Sequence, residues 1–281
     1  MHMQRQILRS LLGSTLCVGL LIGFSSCDKE SDSLGPDSTV SAEDNADAEA
    51  DDAASYEYVD AAAPEDPGRA GALNPDDQRI LFGCATRTYN VSTRTLTIDF
   101  GPNGCVGRDG KLRRGQLVAV FTGQHRQVGS TVVVTLVNFS VNGNPRTGTR
   151  TITWIAPNVH TVDVQNASVV TATGTATWTA QRTVTQTAGV GTRTIQDDLY
   201  SISGSAAGTN RKGVSYTATI QQPLVKKFQA GCARHFISGT LQITTSREKT
   251  LLLNYDPAGT QACDNIASVT INGRTRTIQL R

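Results

Sequence analysis

The sequence predicts an all-β protein. It reads as a long antiparallel meander of about a dozen strands, forming a curled sheet, a sandwich or a partly open barrel, behind a disordered N-terminal tether. Three observations carry this expectation. From Ile80 onward the chain is written in period two, with Thr, Val and Ile alternating against other residues and no 3.6-residue pattern lasting three turns. Asn142-Gly143, Asn272-Gly273 and Asp109-Gly110 are dipeptides that accept the positive φ of tight hairpins. Before Ile80 the texture changes to Asp, Glu, Ala, Ser and Pro.

Charge follows the same division. The 281 residues sum to +2, but residues 28–79 hold 16 acidic against three basic groups. Residues 80–281 hold 21 basic against eight acidic groups, so −13 faces +13. Aromatics at 5% and hydrophobics at 38% exclude a polytopic helical membrane protein.

Taken in order, residues 1–26 read as a lipoprotein signal peptide. Arg5 and Arg9 precede the apolar stretch Leu11–Phe24, which is too short for a comfortable span; Ser25 and Ser26 then precede Cys27. This resembles a bacterial lipoprotein signal, in which the cysteine is lipidated and attaches the protein to a membrane. Asp28-Lys29-Glu30-Ser31-Asp32 resembles the acidic tether of surface-exported lipoproteins of the Bacteroidota type. An Asp directly after the lipidated cysteine can instead signal inner-membrane retention or a periplasm-facing protein. Residues 27–79 then read as the lipidated cysteine and a disordered acidic linker, since too few apolar residues are present to offset the entropy of ordering. Such a stalk has a root-mean-square reach of roughly 40 Å. Tyr56 and Tyr58 read as solvated tail residues, with docking on the body as the alternative.

Residues 80–281 form the predicted β-domain. Thr171–Thr179 alternates without a fault, and Thr149, Thr151 and Thr153 share a face, as do Thr183, Thr185 and Thr187. In Thr131–Val141 the residues Val133, Val137, Phe139 and Val141 line one face, with Val132, Val134 and Leu136 on the other. A faint repeat relates the two ends, 84–122 and 232–281. Ile98–Pro102 runs toward Cys105 and a hairpin, as Leu253–Pro257 runs toward Cys263 and another, each behind an upstream cysteine. Cys17 leaves with the signal and Cys27 takes lipid, so four cysteines remain. Of three connectivities the repeat favours Cys84–Cys105 and Cys232–Cys263. A zinc site is the rival, but no C-x-x-C pair occurs.

Thr97–Gly101 with Cys105 and Arg108–Gly115, Phe139–Gly143 with Gly148–Thr153, Asp197–Gly204, Gly208–Arg211 and Cys263–Leu280 together resemble a family of Bacteroidota surface lipoproteins of unassigned biochemistry. The resemblance implies a secreted, lipid-anchored β-protein and transfers no catalytic residue.

Candidate chemistry is sparse. Asp197 and Asp198 adjoin but would face opposite ways on a strand; Asp99 and Asp256 precede turns, where Asp bonds its own backbone. His125, His160 and His235 are far apart in sequence and read as exposed loop residues, so no metal site is expected. No motif implies a cofactor. Trp154 and Trp178 read as core residues. Arg108, Lys111, Arg113 and Arg114 cluster on one hairpin and form the candidate anion-binding site, for an anionic polysaccharide or envelope protein; nucleic acid is disfavoured because aromatics do not interleave. A weak fold-back of the acidic tail is the second use for that charge. The expected function is therefore a non-catalytic cell-envelope lipoprotein, outer-membrane and surface-exposed, with a binding, adhesion or structural role. A sheet carrier of an apolar ligand is the alternative, and a secreted hydrolase the third reading.

Overall fold

The computed structural model describes residues 38–64, 68, 84–192, 194–229, 231–233 and 235–280. The predicted signal peptide, Cys27 and just under half of the predicted linker lie outside the described residues. The all-β expectation holds for the body: fourteen strands form one antiparallel sheet. The first four are β1 (Thr86–Asn90), β2 (Thr95–Asp99), the two-residue β3 (Cys105–Val106) and β4 (Leu112–Phe121). The long central strands are β5 (Thr131–Val141), β6 (Asn144–Ala156), β7 (Val159–Thr171), β8 (Gly174–Ala188), β9 (Leu199–Thr209) and β10 (Ser215–Lys227). The last four are β11 (Phe236–Thr245), β12 (Thr250–Asn254), β13 (Ile266–Ile271) and β14 (Arg274–Gln279). The ladder follows chain order, with β3 lying aside and paired only to β4; β1 and β14 do not pair, so the sheet stays open. Among the three expected forms, this is a single sheet and not a sandwich.

The turns obey their dipeptides. Asn142-Gly143 and Asn272-Gly273 take positive φ at both positions, the geometry that matches strand twist. Asp99 accepts the Gly101 amide at 2.7 Å, and Asp256 accepts the amides of Thr260 and Gln261, the turn roles expected of them. The Thr-rich faces point outward: Thr173, Thr175, Thr177 and Thr179 are exposed. Inward, between them, lie Ala176, Trp178 and Ala180, all buried, as is Trp154. The face assignment of β5 is corrected. A bulge at Asn138, with φ 47°, shifts the register, so Val132 and Val134 share the inner face with Phe139 and Val141 while Val137 is exposed. Opposite the bulge stands Gly115, where a Cβ would collide with the Asn138 carbonyl.

The larger correction concerns the acidic linker. Residues Val40–Ala62 form a 23-residue α-helix, α1, of which 18 residues are buried. Alanine-rich sequence favours the helix, the Thr39 hydroxyl donates to Glu43 at 2.8 Å, and Pro64 forces Ala63 into extended backbone. The buried residues lie around the whole circumference of α1, so sheet side chains meet it on all sides. Tyr56 and Tyr58 are core residues and not solvated ones. Tyr56 stacks on His160 with ring centroids 4.7 Å apart, and Tyr58 meets Phe100 edge-on at 5.1 Å.

Cys84 is bonded to Cys105, and Cys232 to Cys263, with Cα separations of 5.5 and 4.6 Å. One pair clips each end of the sheet. Closing such loops stabilises by about 3 kcal/mol each on chain-entropy grounds. Thiol labelling of the folded chain should find none of these four cysteines until reductant is added; labelling of any of them beforehand would break the assignment.

Candidate functional site: the charged interface between helix and sheet

α1 carries eight carboxylates and no basic residue. A carboxylate cannot enter a protein interior unpaired without a cost of several kcal/mol, and cations from the sheet and its turns meet Glu43, Asp44, Glu49, Asp51, Asp52, Glu57 and Asp60. At the start of α1, Arg211, just past β9, binds Glu43 at 2.6 Å and also Asp44. One and a half turns on, Arg182 of β8 pairs with Glu49. Asp51 faces Arg146 of β6 at 2.8 Å and Lys111 at 3.9 Å. Asp52 takes Arg150 of β6 at 2.9 Å and the Trp178 indole N–H at 3.2 Å. Arg108 stands 3.7 Å from Glu57. Arg87 of β1 closes the far end by donating to the Ala62 carbonyl at 2.7 Å, as cations do at helix C-termini.

Arg108, Lys111 and Arg113 are therefore not an external anion site. Arg108 and Lys111 face α1, and Arg113 is held by Asp109 at 2.6 Å with its guanidinium over the Tyr58 ring. Their side chains are 9%, 7% and 3% exposed, too little to meet a soluble anion. Arg114, the next residue along β4, is half-buried and joins none of these pairs. The anions that Arg108 and Lys111 meet belong to the chain's own acidic helix, and the one that Arg113 meets to its own hairpin. The fold-back is thus a buried interface and not a weak, screened one.

The histidines are corrected too. His160 and His235 are buried, and His125 is bonded through Nε2 to Asp60 at 2.7 Å. Asp60 also holds Arg126 at 2.6 Å, which reaches Asp198 at 3.3 Å; Asp198 accepts the Tyr200 hydroxyl at 2.6 Å and a Gln186 amide N–H at 2.7 Å. His125, His160 and Asp198, dispersed in sequence, thus converge on the end of α1. Asp197 stays outside, in a 3-10 turn spanning Ile195–Asp197. A cavity of about 30 Å³ lies among Tyr56, Arg126, His160, Gln186 and Tyr200, room for water only. The His160 Nε2 has no hydrogen-bond partner among the described residues.

Burial sets the titration of this interior. It pushes the Asp52 carboxyl up to about 6 against the pull of Arg150, and Glu57 up to about 7. It pushes the Lys226 ammonium down to about 8 and the His160 imidazole down to about 3, so His160 is neutral. For Asp60 burial acts in the same upward direction, but the Arg126 guanidinium and the His125 hydrogen bond overcome it and hold the group far below the usual carboxylate range. Lys226, 1% exposed, donates to the Ala233 carbonyl at 2.6 Å and lies near the Phe228 and Phe236 rings. Among the described residues no group of three or more His, Cys, Asp and Glu is placed to hold a metal ion.

Among the described residues, the outer face carries an open groove of about 590 Å³ across β7 to β10. Asp163, Gln181, Ser205 and Thr219 cross it as one cross-strand row. Asp163 accepts the Gln165 amide at 2.8 Å. No family model matches the chain, and neither the curated proteins nor the solved structures yield a match.

Two outcomes test the interface. Arg182→Met alone leaves Glu49 buried without its cation and should cost about 3–5 kcal/mol in urea unfolding, whereas the double variant Glu49→Met with Arg182→Met should recover most of that loss. Equal losses would mean the pair is not buried as described. Asp52, whose folded value lies above its unfolded one, contributes stability that is full below about pH 4 and lost as pH rises through about 6. Subtracting the curve of Asp52→Asn from the wild-type curve should isolate that fall, and a flat difference between pH 4 and 6 would refute it.

Proposed function

We propose that the protein is a non-catalytic lipoprotein of the cell envelope, attached to the outer membrane through Cys27 and displayed at the surface, where its β-body serves binding, adhesion or envelope architecture. The observation that supports this reading most is the filling of the sheet's inner face by α1. A carrier would need that face for its ligand, and the cavity left between helix and sheet near Ala53, Tyr56 and Phe228 is about 50 Å³, too small for an acyl chain. What remains to meet a partner is the outer face, rich in Thr, Ser and Gln, with its groove along Asp163 and Gln181. Those hydroxyls, amides and one carboxylate suit a hydroxyl-rich polymer better than an anionic one. The reading invokes no cofactor. Two disulfides accord with an exported chain, and the anchor rests on Leu11–Phe24, Ser25, Ser26 and Cys27.

Two measurements test the address. Metabolic labelling with a fatty acid should mark the wild-type protein and not Cys27→Ser; equal labelling removes the anchor. Protease added to intact cells should digest the protein, and complete protection would place it inside the outer membrane.

A further inference from the structure

Only twelve residues, 28–39, separate Cys27 from the start of α1. Fully extended they reach at most about 40 Å, which replaces a 52-residue stalk by a short leash. Where α1 begins is also fixed. The Asn210 side-chain amide donates to the Ser41 hydroxyl at 2.8 Å, and the Arg211 backbone N–H donates to Asp44 at 2.8 Å, so the helix starts beside the β9–β10 turn. The β11–β12 turn adjoins it, since the Ser246 N–H donates to the Ser215 carbonyl at 2.8 Å.

These two turns carry Lys212, Arg247 and Lys249, all exposed, against the single acid Glu248. Arg211 is spent on α1, but Lys212, Arg247 and Lys249 have no carboxylate partner among the described residues. They are exposed cations at the end of the sheet where α1 begins. The turn between β12 and β13, at the other end of those strands, carries Asp256 and Asp264.

We propose that the surface formed by the β9–β10 and β11–β12 turns docks on the anionic phosphate headgroups of the leaflet that holds the anchor. The inference rests on the lipidation of Cys27 proposed above. Lys and Arg are drawn to an anionic leaflet only within about a Debye length of it. Three cations alone bind such a surface feebly, but a short leash makes the contact intramolecular and raises its effective concentration. Acyl chain and basic patch are the two signals that together give stable attachment. The body then lies against the membrane with Lys212, Arg247 and Lys249 downward, and the Asp256 and Asp264 turn faces away.

The test is hydrogen exchange of the lipidated protein on vesicles of phosphatidylglycerol and phosphatidylethanolamine, compared with phosphatidylcholine vesicles. Amides of 210–213 and 246–249 should exchange at least several-fold more slowly on the anionic vesicles, with 257–262 unchanged. The triple variant K212E/R247E/K249E should lose that slowing while remaining vesicle-bound through its lipid. Mass spectrometry of the Cys27 peptide separates the two levels. An unmodified Cys27 overturns the anchor and this docking with it, whereas a lipidated Cys27 with unslowed turns, or with slowing at 257–262, overturns the docking surface alone.

Discussion

Eight carboxylates on one helix, enclosed by a β-sheet, can exist only where the sheet supplies cations at matching heights, and that requirement organises the molecule. Arg146 and Arg150 come from β6, and Arg211, Arg182, Arg108 and Arg126 from other strands and turns, yet all aim at α1. Such pairs need not add net stability, because desolvating both partners offsets much of their attraction. What they impose is specificity: a helix shifted by one residue would bury several charges unpaired. The apolar contacts of Tyr56, Tyr58 and Val59 then add stabilisation in the one register that the charges permit.

Much of the sheet was legible from residue pattern alone. Period two, Asn-Gly turns and outward threonines foretold a meander, and the repeat pointed to the two cysteine pairs. The helix was hidden for a physical reason. A helix packed against an apolar core shows a 3.6-residue apolar stripe, but α1 is buried by charge complementarity and shows none. Its alanines and acids look the same as those of a solvated linker. The bulge at Asn138 was equally silent, since one positive-φ residue reverses the faces of a strand without altering its composition.

A signal for the site did lie in the strands. Arg150 occupies the same register as Ile152 and Trp154, and Arg182 the same register as Trp178, Ala180 and Val184. Arginine at core-facing positions demands buried acids, and residues 28–79 are the part of the chain rich enough to supply them. Reading the threonine face, and not the face between the threonines, is what hid the partnership. The hairpin cluster at Arg108–Arg114 misled for the same reason, because density of charge in sequence says nothing about which side of a strand presents it. The histidines and Asp198 were beyond reach, as nothing local announces that a helix end will gather them.

Both disulfides lie within residues 84–281, so the stretch 63–83 is the sole covalent link from α1 to the sheet. The protein therefore has two load paths from its N-terminus. A pull there enters first at α1, in the middle of the sheet, and must drag that helix lengthwise past arginines on several strands. That is shear, in which many contacts yield together, and resistance to it is set by the rate of unfolding more than by equilibrium stability. A pull delivered at Cys84 would instead pass through its disulfide to Cys105 and load β3 and β4 near one edge of the sheet, leaving β1 and β2 slack inside the closed loop. Threading the acidic helix through the interior turns an edge-loaded sheet into a centre-loaded one.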